Sequence, residues 1–251
     1  MRLKGKKIVL LGGATGIGNR TARMISDQGA DVVVGDINLA GAEALAGEVR
    51  AAGGWMDALH VDLGSEESIK AFFEAAKGKL GTIHGLFLNG AAVDKESIAK
   101  DTDILSMEMA HWDRIMAVNL RGYILSLRSA IPIMLENGGG SIVCTSSELS
   151  FISTGCKAIP GYCMSKAGVN VLICHTASQF GRQGIRCNGV APGYIDVGRD
   201  SGSREKFAQM VCVPELGIPD DIGSAVTHLL ADESAYIQGQ MISVNGGSLF
   251  R

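Results

Sequence analysis

Residues 7–18 read Lys7-Ile8-Val9-Leu10-Leu11-Gly12-Gly13-Ala14-Thr15-Gly16-Ile17-Gly18, and the fold turns on what happens after Leu11. Lys7 to Leu11 has the apolar character of a buried strand. It breaks into a glycine-rich turn, and a helical pattern then runs through about Gln28 and closes near Gly29. Gly12, Gly16 and Gly18 form a G-x-x-x-G-x-G pattern, a variant of the G-x-G-x-x-G dinucleotide fingerprint. Glycines permit a tight turn and let the backbone approach a pyrophosphate. The helix that follows offers unpaired N–H groups and a partial positive charge at its start. The turn lies between a first strand and a first helix, the context such a motif requires.

Outward from this turn, strands and helices alternate. Asp31 to Asp36 holds the β-branched run Val32-Val33-Val34, suited to a buried parallel strand. Leu39 to Ala52 is helical and closed by Gly53-Gly54. Leu59 to Leu63 is the third strand candidate, and Ser65 is an N-cap for the helix after it. Gly85 to Asn89 reads as a strand, His111 to Leu135 as one long helix, and Ser141 to Thr145 as a strand. Tyr162 to Phe180 is a helix, Ile185 to Val190 a strand, Pro219 to Leu230 a helix and Gln240 to Val244 the last strand. This alternation predicts an α/β fold: a single-domain, Rossmann-type, doubly wound parallel sheet of about seven strands with helices on both faces, spanning residues 1–251. The least regular stretches, Ala92 to Ser106 and Gly198 to Val213, both follow strands at the carboxyl edge where open α/β sheets bind ligands. The second, with Arg199, Asp200, Ser201, Gly202, Ser203 and Arg204, is a candidate lid.

The formal net charge of −3 gives no reason to expect a nucleic-acid partner. No apolar run is long enough to span a bilayer, and the basic start lacks the form of a secretion signal. The six cysteines form no C-x-x-C pair, which points to reduced thiols in a cytoplasmic protein. His60, His84, His111, His175 and His228 are scattered without carboxylate partners at ligand spacing, so no metal site is expected.

Asp36 ends the second strand, 18 residues after Gly18. A carboxylate there can accept hydrogen bonds from the adenosine ribose hydroxyls and repels a 2′-phosphate. Neither Thr15 nor Ile37 is basic. The expected cofactor is NAD rather than NADP.

Tyr162-Cys163-Met164-Ser165-Lys166 is a Y-x-x-x-K pair, preceded by Thr145-Ser146-Ser147 after a strand. Tyr162 and Lys166 share one helix face. An ammonium beside a phenol favours the phenolate and is expected to lower the tyrosine pKa, tuning it to take a proton from an alcohol or return it to a ketone. With the glycine turn, these residues resemble the short-chain dehydrogenase/reductase family in its compact single-domain branch. Asp62, Asn119 in Val118-Asn119-Leu120, Pro192-Gly193 and Val244-Asn245-Gly246-Gly247 fall in the same order and spacing, so the resemblance covers nearly the whole chain.

The resemblance implies four catalytic groups: Asn119, Ser147, Tyr162 and Lys166. Ser147, the second serine, would hold the substrate oxygen. Lys166 would also bind the nicotinamide ribose, and Asn119 would hold a water that starts a proton relay. For the cofactor it implies the turn (Gly12, Thr15, Gly16, Ile17, Gly18), Asp36, Asp62 with the Leu63 backbone N–H at the adenine, Asn89, Tyr162, Lys166, Pro192, Gly193 and the Ile195 backbone. The partners it implies are a small alcohol or ketone substrate and further copies of the chain, as dimer or tetramer. Ile124, Leu127, Val169 and Ile173 are the candidate interface residues, and Ser248 to Arg251 a candidate second contact. The expected activity is NAD-dependent interconversion of a secondary alcohol or diol and a ketone. The alternatives are an NADPH-dependent ketone reductase and a non-catalytic dinucleotide-binding regulatory protein.

The chain departs from the family pattern at three places. Leu11 replaces a threonine whose hydroxyl ties the turn to the sheet. Asn89-Gly90-Ala91 keeps only the second asparagine of Asn-Asn-Ala-Gly. Val197 stands where a threonine would meet the nicotinamide carboxamide. Glu148, directly after Ser147, has two readings, into the pocket or out to solvent. Tyr194 is a candidate pocket wall, and Trp112 a packing residue near the start of the long helix.

Overall fold

The computed structural model describes residues 1–93, 95–151, 159–198 and 204–250. Among them the strands are β1 Lys7–Leu11, β2 Asp31–Asp36, β3 Met56–His60, β4 Gly85–Leu88, β5 Gly140–Thr145, β6 Ile185–Pro192 and β7 Met241–Val244. They form one parallel seven-stranded sheet in the order β3-β2-β1-β4-β5-β6-β7. The order reverses between β1 and β4, and the crevice at that switch point is where such sheets bind ligands.

The helices are α1 Gly16–Asp27, α2 Leu39–Ala51, α3 Glu66–Leu80, α4 Lys95–Lys100, α5 Met109–Met116, α6 Gly122–Leu135, α7 Pro160–Phe180, α8 Arg204–Ala208 and α9 Pro219–Leu230. Each face of the sheet has its own core. On one, Ile69, Phe72 and Phe73 of α3, Leu127 and Met134 of α6, and Val169 and Ile173 of α7 cover the strands. On the other, Ala22 and Ile25 of α1, Leu45 and Val49 of α2, and Ile222 and Val226 of α9 do so. The central strands are buried on both sides and therefore read as continuous apolar runs. As expected, Ser65 caps α3, its hydroxyl accepting from the Ser68 N–H at 3.2 Å.

Three expectations need correction. The third strand is Met56–His60 rather than Leu59–Leu63. β3 is an edge strand, only half-buried, so it lacks the apolar run that marks the others. Val61 and Leu63 are apolar because they pack into the core just beyond the strand end. Next, the long helix over His111–Leu135 is not uniform. A π-turn, Ala117–Arg121, separates α5 from α6 and carries Asn119. Five residues are too few for hydrophobic periodicity to separate a π-turn from the helices that flank it, and such bulges favour functional positions. Finally, Leu127, Val169 and Ile173 are buried in the chain's own core and present nothing to a second copy. Ile124, 39% exposed, is the candidate that faces outward, alongside Val171 of α7 at 57%.

No described helix is long and apolar enough to cross a membrane.

Candidate active site

The glycine turn is fixed from three sides. Gly12 N–H donates to Gly35 O at 2.7 Å. The Ala14 N–H donates to Asp36 Oδ2 at 2.9 Å, and Asn38 N–H takes the other oxygen at 2.9 Å. Asn89 Nδ2 donates to Gly12 O at 3.0 Å, while Asn89 Oδ1 accepts from the Thr145 hydroxyl at 3.1 Å. Asn89 thus braces the turn, where Leu11 offers no hydroxyl, and joins it to β5. Gly12 has φ +86°, and a Cβ on it would lie 2.3 Å from Gly90 N. A Cβ on Gly18 would lie 1.9 Å from Gly12 O, so the first helix begins in contact with the turn. Thr15, at the N-cap of α1, makes no side-chain cap, and the first turn of α1 holds no acidic residue. Its N–H groups and positive end are therefore left for an anion. Ile17 packs inward against the core on that face.

Asp62 lies past β3, with Oδ1 accepting from Gly64 N at 2.8 Å and its own N–H donating to Ser68 Oγ at 2.9 Å. Leu63 is buried beside Gly90. At the other end of the crevice, Pro192 ends β6, the Gly193 N–H donates to Val244 O at 3.1 Å, and Ile195 bridges Gly217. Val197 returns over the glycine turn and would sit 3.6 Å from a Cβ on Gly16.

Tyr162 is the third residue of α7, and Lys166 lies one turn further on. Lys166 is completely buried, and its Nζ donates to Thr145 O at 2.7 Å. The ammonium lies 5.2 Å from the centre of the Tyr123 ring and 5.9 Å from that of Tyr162. Tyr123 is anchored through its hydroxyl, which donates to Leu88 O at 2.9 Å. Burial lowers the Lys166 pKa to about 8. It also raises the Tyr162 phenol above its ordinary value, and a hydrogen bond with Ser147 offsets part of that rise. In the protein alone, then, the expected lowering of Tyr162 by Lys166 does not occur. Desolvation outweighs the charge, and the ammonium is directed at the Thr145 carbonyl.

The two serines separate cleanly. Ser146 Oγ is engaged with Asn170 Oδ1, and further with Ser150 Oγ at 3.2 Å, deep in the interior. Ser147 faces Tyr162 and accepts from Leu149 N–H at 3.2 Å. Asn119, in the π-turn, accepts from Ala92 N–H at 2.7 Å and donates to Ser165 Oγ at 3.1 Å. Ser165 in turn donates to the Tyr162 carbonyl at 2.7 Å. The structure therefore brings Asn119, Ser147, Tyr162 and Lys166 together at the carboxyl end of β4 and β5.

Glu148 turns inward. It is buried against Gly193 and accepts a hydrogen bond from the Ser248 hydroxyl. Tyr194 stacks on Phe207 of α8, with ring centres 4.2 Å apart, and Arg204 pairs with Asp196. The candidate lid thus packs against the segment after β6, while its residues 199–203 lie outside the described residues. Sequence reasoning missed Thr145, Ser165 and Asp101. The first two stand beside recognised motif residues; Asp101 is far from any of them in sequence.

This arrangement has counterparts. The chain is 37% identical over 253 residues to a probable short-chain type dehydrogenase/reductase of Bradyrhizobium diazoefficiens, covering 99% of this chain and 89% of that one. It belongs to the short-chain dehydrogenase/reductase family. A family model described as enoyl-(acyl carrier protein) reductase matches residues 12–248 of this dehydrogenase/reductase. It is 32% identical to the cyclohexanol dehydrogenase of Acinetobacter sp., over 98% of this chain and 95% of the relative. Among solved structures, a 7α-hydroxysteroid dehydrogenase complexed with NADH and 7-oxo glycochenodeoxycholic acid superposes with a TM-score of 0.90. It has 29% identity, covering 98% of this chain and 95% of that one.

Proposed function

We propose that this short-chain dehydrogenase/reductase interconverts a ring-borne secondary alcohol and its ketone with NAD as partner. The observation that supports this most directly is the meeting of Ser147, Tyr162 and Lys166 beyond the carboxyl end of β5. The relatives named for cyclohexanol and for a hydroxysteroid support a ring alcohol.

The residues fit a nicotinamide dinucleotide. The close-packed turn at Gly12 leaves room only for backbone, and the amino end of α1 is uncapped. Asp36 stands at the end of β2 beside Ile37, an exposed apolar residue where a 2′-phosphate would need a cation. Asp36, Asp62, Leu63 and Asn89 would hold the adenosine half, and Pro192, Gly193 and Ile195 the nicotinamide half. The nicotinamide would supply the hydride acceptor or donor.

The chain's own groups then handle the proton. Ser147 would hold the substrate oxygen at the phenol. Tyr162 would take the alcohol proton or return it to the ketone. Lys166 carries three ammonium N–H donors, of which Thr145 O takes one. The remaining donors would bind the nicotinamide ribose, and their charge would favour the phenolate once cofactor excludes water. Asn119 would continue the proton path toward solvent. The candidate outward residues Ile124 and Val171 suit association of copies through α6 and α7, in a cytoplasmic dimer or tetramer.

The test is NADH formation across a panel of cyclic secondary alcohols and diols, with Tyr162→Phe as control. Wild type should turn over ring alcohols, and Tyr162→Phe should lose about 10²- to 10⁴-fold in kcat while binding NADH normally. A Tyr162→Phe enzyme with full activity would overturn the assignment. NADH binding without turnover of any member of the panel would favour the non-catalytic reading.

A further inference from the structure

Tyr162 lies in the first turn of α7, where helices are least secure. The first N–H groups of a helix have no intrahelical partner, and a turn without a cap frays. The residue at the N-cap position, Ile159, has no side chain able to cap, and Pro160 brings no N–H. The next two donors, Gly161 N–H and Tyr162 N–H, both reach the same side chain. Asp101 Oδ1 accepts from Gly161 N–H at 2.9 Å, and Oδ2 accepts from Tyr162 N–H at 2.8 Å.

Asp101 is buried, and its position is itself secured. It follows α4 in the segment after β4, and its N–H donates to Ser97 O at 3.2 Å. His111 of α5, also buried, bonds the same Ser97 carbonyl through Nε2 at 2.7 Å. The start of this segment is tied at Ala92 to Asn119. A Cβ on Gly161 would come within 3.1 Å of Asp101 Oδ1, so the helix and the carboxylate are closely packed at that position. The candidate acid/base is thus capped from a separate part of the chain, 61 residues away in sequence.

We infer that Asp101 is a positioning residue for Tyr162: its carboxylate seats the first turn of α7 and thereby holds the phenol in register with Ser147. The inference rests on the proposed role of Tyr162. Displacement of a reacting group by about 1 Å can cost roughly 100-fold in rate, so fraying at this turn would be expressed in kcat. Lys166 lies a full turn deeper and is bonded to β5 independently, so cofactor binding should hardly respond.

The experiment compares wild type, Asp101→Asn and Asp101→Ala by two measurements. One is kcat per NADH-binding site, with sites counted by NADH fluorescence titration. The other is amide hydrogen exchange over residues 159–165. Asp101→Ala should lose about 10- to 100-fold in kcat per site, with NADH affinity changed less than about threefold and exchange accelerated in that turn. Asp101→Asn keeps one acceptor and should recover part of both. A purely structural role would lower the number of sites or the Tm and leave kcat per site intact, and that result would overturn the inference. Unchanged exchange over 159–165 in Asp101→Ala would overturn it as well. If the wild type oxidises no alcohol, the functional reading fails, and the exchange measurement still decides whether Asp101 seats the helix.

Discussion

Lys166 gives a hydrogen bond to the carbonyl oxygen of Thr145, 2.7 Å away, from a position wholly closed to water. The ammonium is held there at a cost, since burial lowers its pKa to about 8 from 10.5. A lysine whose folded pKa is lowered binds fewer protons folded than unfolded between these values. Its penalty is therefore full below pH 8 and fades as pH rises toward 10.5. The stability of wild type relative to Lys166→Met should rise by about 2 kcal/mol between pH 7.5 and 10. Denaturant unfolding of the cofactor-free proteins at several pH values measures this. A difference independent of pH would show that the ammonium is not desolvated as described.

The glycine turn makes a contrast within a single residue type. At Gly12 a Cβ would meet Gly90 backbone atoms at 2.3 and 2.4 Å, and φ is +86°. Backbone cannot swing aside as a long side chain can, so Gly12→Ala should cost about 2–4 kcal/mol and weaken NADH binding together with stability. Gly47, inside α2, has nothing within 4 Å of its Cβ position. There the same substitution should stabilise by about 0.5–1 kcal/mol through helix propensity. Thermal melts of the two variants compare them, and equal effects would contradict the packing described at Gly12.

What the sequence disclosed followed how local each signal was. The strand, turn and first helix at residues 7–27 are contiguous, and burial on both faces marks β1, β2 and β4 as apolar runs. Tyr162 and Lys166 are legible because one helix turn joins them. The edge strand β3 gives no apolar run to read, because only Met56 of its five residues is fully buried. The π-turn at Asn119 is hard to read because it is five residues long and lies between two helical segments. Asp101 could not be found, since its two partners lie on a helix brought to it only by tertiary folding. The interface residues failed for the opposite reason: Leu127, Val169 and Ile173 are apolar because their own sheet needs them.

The proposed preference for NAD rests on Asp36. Its two oxygens already accept from Ala14 and Asn38 N–H groups, which fixes the carboxylate at the end of β2. A 2′-phosphate placed there would meet like charge, worth up to about 4 kcal/mol at 4 Å near a protein surface. Ile37 next to it is 67% exposed, so an arginine can be introduced without repacking. Wild type should use NAD over NADP by at least about tenfold in kcat/KM, and Asp36→Asn with Ile37→Arg should lower that ratio by at least about tenfold. Steady-state rates with both cofactors on one alcohol decide it. A wild type that prefers NADP would remove Asp36 from the argument.

The last relationship concerns Glu148 and the carboxyl-terminal segment. Glu148 is buried beside Gly193, and the Ser248 hydroxyl donates to its Oε2. Ser248 is held in turn by Asn245, whose carbonyl accepts from the Ser248 N–H at 3.1 Å and whose Nδ2 donates to Leu249 O at 3.0 Å. The segment after β7 is thereby fastened to the turn that bears Ser147. Losing the hydroxyl would leave a buried carboxylate short of a donor, which costs more than losing both partners together. Ser248→Ala should destabilise by about 1–3 kcal/mol. Adding Glu148→Leu to that variant should cost much less than adding it to wild type, giving a coupling of at least about 1 kcal/mol in a double-mutant cycle. Chemical denaturation of the four proteins measures the cycle, and additive effects would mean that the two residues do not fasten the segment to the site.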